Sequence, residues 1–205
     1  MALAEPRLTA SGGSGAELRM FEEEGHRFAL LEGIPPVGSE GLLAAVELVP
    51  GPPPEAARPR IALAHGQDAA GWWIGLDAGG RCAVGVMTEA GPVSLPVGAR
   101  LMQGEAVRVV ARIPGRSGER LQVELWHGSE RVTASAVLGA TVVAAAGPVV
   151  WGGRAGAAHA RLPFLGRVAE LLLVGDARVP LEDAVEHPAI VACVTGSIDS
   201  SVDGG

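Results

Sequence analysis

The sequence predicts an all-β protein: an antiparallel two-sheet β-sandwich with one short helix near its C-terminal end. Three observations predict it. Strand-sized apolar runs separated by short glycine-rich breaks recur from residue 41 to residue 175, the spacing of a sandwich rather than of βαβ units. The chain carries 30 glycines and 15 prolines in 205 residues, a turn-rich composition. Only "PLEDAVEH" (180 to 187) has a helix start, with Pro180 suited to a first turn and acidic residues beside it.

The elements follow in order. Residues 1–17, ending in "ASGGSGAE", read as a flexible lead-in. "ELRMF" and "HRFALLE" form a first strand pair around the acidic turn at Glu22–Glu24. "GLLAAVELV" is an apolar strand, and the proline-rich "PGPPPEAARP" after it is a loop that no helix or central strand accommodates. "RIALAH", "WWIGL", "RCAVGVM", "AVRVVARI", "RLQVELW", "RVTASAV", "PVVW" and "LGRVAELLLV" supply the remaining strands. The sandwich is thus expected over residues 18–194, with 195–205 as a loose tail.

Alternation sets registers as well as strands. In "GWWIGLDAGGRCAVGV", Trp72, Ile74 and Leu76 share one face and Trp73, Gly75 and Asp77 the other. Matching apolar to apolar pairs Trp72 with Val86, Ile74 with Val84 and Leu76 with Cys82, around the turn Ala78–Gly80 with Asp77 facing Arg81. Trp73 then falls opposite Gly85, where a large ring covers bare backbone; the functional alternative for the same ring is a stacking platform for a sugar. In the following meander, Val107, Val109 and Ala111 are matched to Leu125, Val123 and Leu121, which sets Arg108 opposite Glu124. Trp126 meets Arg131 across the "HGSE" turn, either as a cation–π pair or as half of a ligand groove. Trp73, Trp126, Arg108 and Arg131 are the candidate binding residues.

Composition excludes several chemistries. The net charge is -7, and the 16 basic residues are all scattered arginines, so neither a phosphate backbone nor an anionic membrane is an expected partner. The sequence contains no lysine, asparagine or tyrosine. "MALAEPRLTA" has no basic and apolar leader pattern, so the expected location of the chain as written is the cytoplasm, unless it is a module of a longer protein. Cys82 and Cys193 read as two thiols rather than a disulfide framework or metal site. His26, His65, His127, His159 and His187 lack zinc-ligand spacing, and Asp199 and Asp203 read as solvated charges. Neither a Gly-x-Ser-x-Gly elbow nor a phosphate loop is present. No cofactor, metal or catalytic residue is expected.

The ordered series "EGLLAAVELVPG", "RIALAHGQDAAGWWIGLDAGGRCAVGV", "GEAVRVVARIPGRSGERLQVELWHGSERVTASA", "GPVVWGGRAG" and "FLGRVAELLLVGDARVPLEDA" resembles the laminin-G / concanavalin A-like superfamily over residues 40–186. The resemblance implies a jelly roll and a binding module for a glycan or protein partner. It also admits an accessory domain of a larger enzyme, such as an N,N-dimethylformamidase-like amidohydrolase, and a divergent glycoside hydrolase. Glu105 and Ala106 stand where relatives often carry a tryptophan, and no calcium-ligand pattern matches. The Glu-x-Asp-x-Glu string of the glycosidase relatives, which would put paired carboxylates on one strand face, occurs in no predicted strand. The expected function is therefore non-catalytic binding, with carbohydrate as the first ligand class.

Overall fold

The computed structural model describes residues 6–11, 15–23, 26–53, 57–66, 70–152 and 164–199. Glu24, His159, Asp203 and most of "GGRAGAAH" lie outside the described residues. The strands in chain order are β1 (Arg7–Ser11), β2 (Glu17–Glu23), β3 (His26–Glu32), β4 (Leu42–Pro50), β5 (Arg60–His65), β6 (Trp72–Leu76) and β7 (Arg81–Thr88). They continue with β8 (Gly91–Arg100), β9 (Val107–Ile113), β10 (Arg120–His127), β11 (Glu130–Val137), β12 (Val149–Trp151), β13 (Gly166–Val174) and β14 (Ile190–Asp199). The expected helix is a single 3-10 turn, Leu181–Asp183.

Two seven-stranded sheets stack face to face, one ordered β1-β14-β13-β4-β9-β10-β11 and the other β2-β3-β12-β5-β6-β7-β8. Every ladder between these strands is antiparallel. Alternate residues of both sheets fill the space between them: Ala44, Val46 and Leu48 of β4, Val109 and Ala111 of β9, Trp72 and Ile74 of β6, Val84 of β7 and Trp151 of β12. Each large aliphatic side chain taken fully out of water there contributes roughly 1.5–3 kcal/mol. His65 is buried at the end of β5, where its Nε2–H donates to Gly147 O at 3.1 Å and its ring meets Trp72 edge-on at 6.2 Å between centroids.

Three expectations are corrected. Residues 7–11, placed in the flexible lead-in, are strand β1, and residues 195–199, placed in the tail, complete β14; the two strands pair through Arg7 and Thr195. Their backbone groups bond each other, so polar side chains at the edge did not prevent a strand. β8 was missed because Pro92 and Pro96 interrupt its pattern; it lies at a sheet edge, where a proline's missing N–H costs no ladder bond. The registers around the two tryptophans hold: Trp72 pairs with Val86, Trp73 with Gly85, Ile74 with Val84 and Leu76 with Cys82. Gly80 closes that turn at φ +81°, and Asp77 accepts from Arg81 Nε at 3.0 Å.

The third correction is a two-residue shift between β9 and β10. Val109 pairs with Leu125, Val110 with Glu124 and Arg108 with Trp126. Both registers keep the same residues inside, so apolar matching does not distinguish them. What differs is the connection: β9 runs to Ile113 and β10 begins at Arg120. Beyond the β10–β11 ladder, Gly118 N–H donates to Leu138 O and Leu138 N–H to Glu119 O, which ties the end of the connection to the end of β11.

Candidate functional site

The corrected register builds a row across the outer face of the first sheet: Glu47 on β4, Arg108 on β9, Trp126 on β10 and Arg131 on β11. The next row on the same face is Ala45, Val110, Glu124 and Thr133. Polar side chains stand here because the opposite faces of the same strands already supply the core.

Trp126 is half-buried and held on two sides. Its Nε1–H donates to Glu124 Oε2 at 3.3 Å, and the Arg131 guanidinium carbon lies 5.3 Å from the ring centroid. Arg131 Nε pairs with the same Glu124 oxygen at 3.1 Å. The cation–π contact is half-exposed and contributes about 0.5–1 kcal/mol; its larger effect is to fix the indole plane. On the β9 side of the ring a groove of about 440 Å³ opens, lined by Glu47, Arg108, Trp126, Gly128 and Leu181. Arg108 is exposed and has no ion pair among the described residues, whereas Glu47 accepts from Arg167 Nη2 at 3.2 Å. The groove therefore offers one aromatic surface, one free guanidinium and one carboxylate.

The 176–189 segment forms the far wall. Val179 and Ala184 bury against Leu43, Ala45, Val110, Leu172 and Val174, with Leu181 and Trp126 packed at the margin of that cluster. Arg112 clamps the segment by donating from Nη1 to Ala177 O at 2.8 Å and to Val179 O at 2.6 Å. Sequence reasoning missed both Leu181 and Arg112. The one available signal was three apolar residues, Val179, Leu181 and Ala184, inside an otherwise acidic segment.

Of the four sequence-derived candidates, the structure gathers Trp126, Arg108 and Arg131 and leaves Trp73 apart. Trp73 sits on the outer face of the second sheet, directly over Gly85; a Cβ at Gly85 would lie 2.0 Å from Trp73 Nε1. The ring covers bare backbone, as the strand register anticipated. A larger cleft of about 510 Å³ lies beside Glu40, Arg112, Arg116, Arg120 and Arg178. Its arginines are already engaged: Arg116 and Arg178 pair with Glu40, Arg178 also with Asp176, Arg112 with backbone carbonyls, and Arg120 Nη1 donates to Ser135 Oγ at 3.4 Å. Among the described residues, no group of three or more His, Cys, Asp or Glu side chains is placed to hold a metal.

No protein-family profile matches the sequence, and no curated protein sequence does. Solved structures do match. The enzymatically active domain of tailspike protein 2 from bacteriophage CBA120 aligns with a TM-score of 0.59 at 15% identity, over 97% of this chain and 32% of that one. A heptameric SAP-like pentraxin from Limulus polyphemus aligns with a TM-score of 0.52 at 12% identity, over 97% of both chains. Domains LG4-5 of the mouse laminin alpha1 chain align with a TM-score of 0.47 at 16% identity, over 93% of this chain and 48% of that one. This chain thus spans about a third of the tailspike chain and nearly all of the pentraxin. The fold is an antiparallel two-sheet jelly roll, shared with the tailspike domain and the pentraxin.

Proposed function

We propose that the chain is a non-catalytic binding module that seats a glycan in the groove beside Trp126. The observation that carries this reading is the row Glu47–Arg108–Trp126, which lines one groove on an outer sheet face. A pyranose presents C–H groups on its faces and hydroxyls at its rim. The indole face matches the first; the Arg108 donors and the Glu47 acceptor match the second. Arg131 and Glu124 act through Trp126 by holding its plane. Recognition is by shape and hydrogen bonding, and it uses no covalent step.

The test is a glycan array followed by calorimetry on the best-bound sugar. Trp126→Ala and Arg108→Ala are each expected to weaken binding by about tenfold or more, a loss of ~1.4 kcal/mol. Trp126→Phe keeps part of the affinity, and Trp73→Ala binds as the parent does. Unchanged binding in both Trp126→Ala and Arg108→Ala refutes the reading.

A further inference from the structure

Four strands end the two sheets, and three of them are blunted against pairing with another chain. β8 carries Pro92 and Pro96. β2 carries Glu17, Arg19, Glu22 and Glu23. β1 is five residues long and its ladder is broken by a bulge between Leu8 and Ala10. Prolines, charges, bulges and shortness are the devices by which sheet edges avoid self-pairing. β11 has none of them along most of its length. It runs eight residues in unbroken register against β10, and after Glu130 and Arg131 it reads Val-Thr-Ala-Ser-Ala-Val without charge or proline. Val132 is 47% exposed and Val137 is 55% exposed.

We infer that β11 is a self-association edge, occupied by β11 of a second copy of this chain in antiparallel register. A two-fold axis perpendicular to the sheet keeps each residue on its own face, and centring it on Ala134 uses the whole uncharged stretch. Thr133 then faces Ser135 of the second copy, Val132 faces its Ala136, and Arg131 faces its Val137. No like charges oppose each other, and a Thr–Ser pair is a favourable cross-strand match. The two-residue Gly128–Ser129 connection makes His127 and Glu130 a hydrogen-bonded pair. By ladder alternation, Arg131, Thr133, Ser135 and Val137 then direct their free N–H and C=O groups outward. These are the residues that the axis at Ala134 matches with one another. The result is one continuous sheet that carries both Trp126 grooves on the same side. That last consequence rests on the glycan reading; the pairing itself does not.

Sedimentation velocity across a concentration series tests the inference, together with hydrogen exchange at the Thr133 and Ser135 amides. The unaltered chain is expected to form a reversible dimer in which both amides are protected. The double variant Thr133→Lys/Ser135→Lys places lysine opposite lysine twice and weakens the dimer by about tenfold or more. Thr133→Lys/Ser135→Glu places opposite charges in the same two pairs and restores it. Both positions are exposed on the outer face, and far-UV circular dichroism verifies the fold. A chain that stays monomeric to high micromolar concentration overturns the inference, as does a dimer indifferent to the lysine pair.

Discussion

Replacing Gly85 with alanine tests whether Trp73 is packed against the sheet or held open for a ligand. Gly85 is free of the left-handed backbone region, so alanine is conformationally allowed there. The obstacle is the indole. A Cβ would lie 2.0 Å from Trp73 Nε1, 2.2 Å from Cε2 and 2.6 Å from Cζ2, so the ring must swing off the strand. Such overpacking costs about 1–3 kcal/mol, partly offset by about 0.4–1 kcal/mol from the less flexible unfolded chain. Gly85→Ala alone is therefore expected to destabilise by ~1–2 kcal/mol, a fall in Tm of about 2–8 °C for a chain of this size. In a Trp73→Ala background the clash is gone and only the entropic term remains. There Gly85→Ala becomes neutral or stabilising by ~0.5 kcal/mol. Urea denaturation of the four-member cycle, followed by far-UV circular dichroism, reads the coupling directly. An equal cost of Gly85→Ala in both backgrounds refutes the argument that the ring and the glycine are one packing unit.

Four further outcomes follow from the described contacts. Arg112→Leu removes two charge-assisted bonds that hold the 176–189 segment and costs about 2–3 kcal/mol; faster hydrogen exchange through 177–184 localises the loss. Burial holds the His65 imidazole below its ordinary value of 6.5, opposed by its bond to Gly147 O. As pH falls below that value the unfolded chain takes up the proton first. Stability is lost on acidification, and a pH series of urea melts should show that His65→Gln lessens this loss. Burial, with Asp77 as the smaller cause, pushes the Cys82 thiol up from 9.0 to about 12. Stability linked to Cys82 is present below pH 9.0 and declines from there to about 12, because the unfolded thiol ionises first. In the native chain at neutral pH, maleimide is expected to label the half-buried Cys193 well before Cys82.

The strands that could be read in advance are those whose two faces differ in polarity. Trp72, Ile74 and Leu76 against Val86, Val84 and Cys82 admit one in-register match, and the short turn leaves no slack. The β10–β11 pairing, Trp126 with Arg131 included, was legible for the same reason. The β9–β10 pairing was not, because a slip by two preserves every inside and outside position, and the six-residue connection between Ile113 and Arg120 is long enough to allow either. β1 was hidden because its one strand partner, β14, is more than 180 residues away in the chain, as Arg7 and Thr195 show. β8 was hidden because proline reads as a strand breaker until the strand is known to be an edge.

The alternation of apolar and polar residues determined by itself that this chain is an antiparallel sandwich, and it put Trp72 inside and Trp73 over Gly85. Burial of a period-two face is a local demand, satisfied between neighbouring strands. The tertiary structure decided which distant strands lie side by side. It therefore decided that Arg108 stands next to Trp126, that Leu181 walls their groove, and that β11 is left as an unblunted edge. Those are long-range outcomes, set by strand order and register and by the packing of the 176–189 segment on a sheet face, and no local periodicity encodes them.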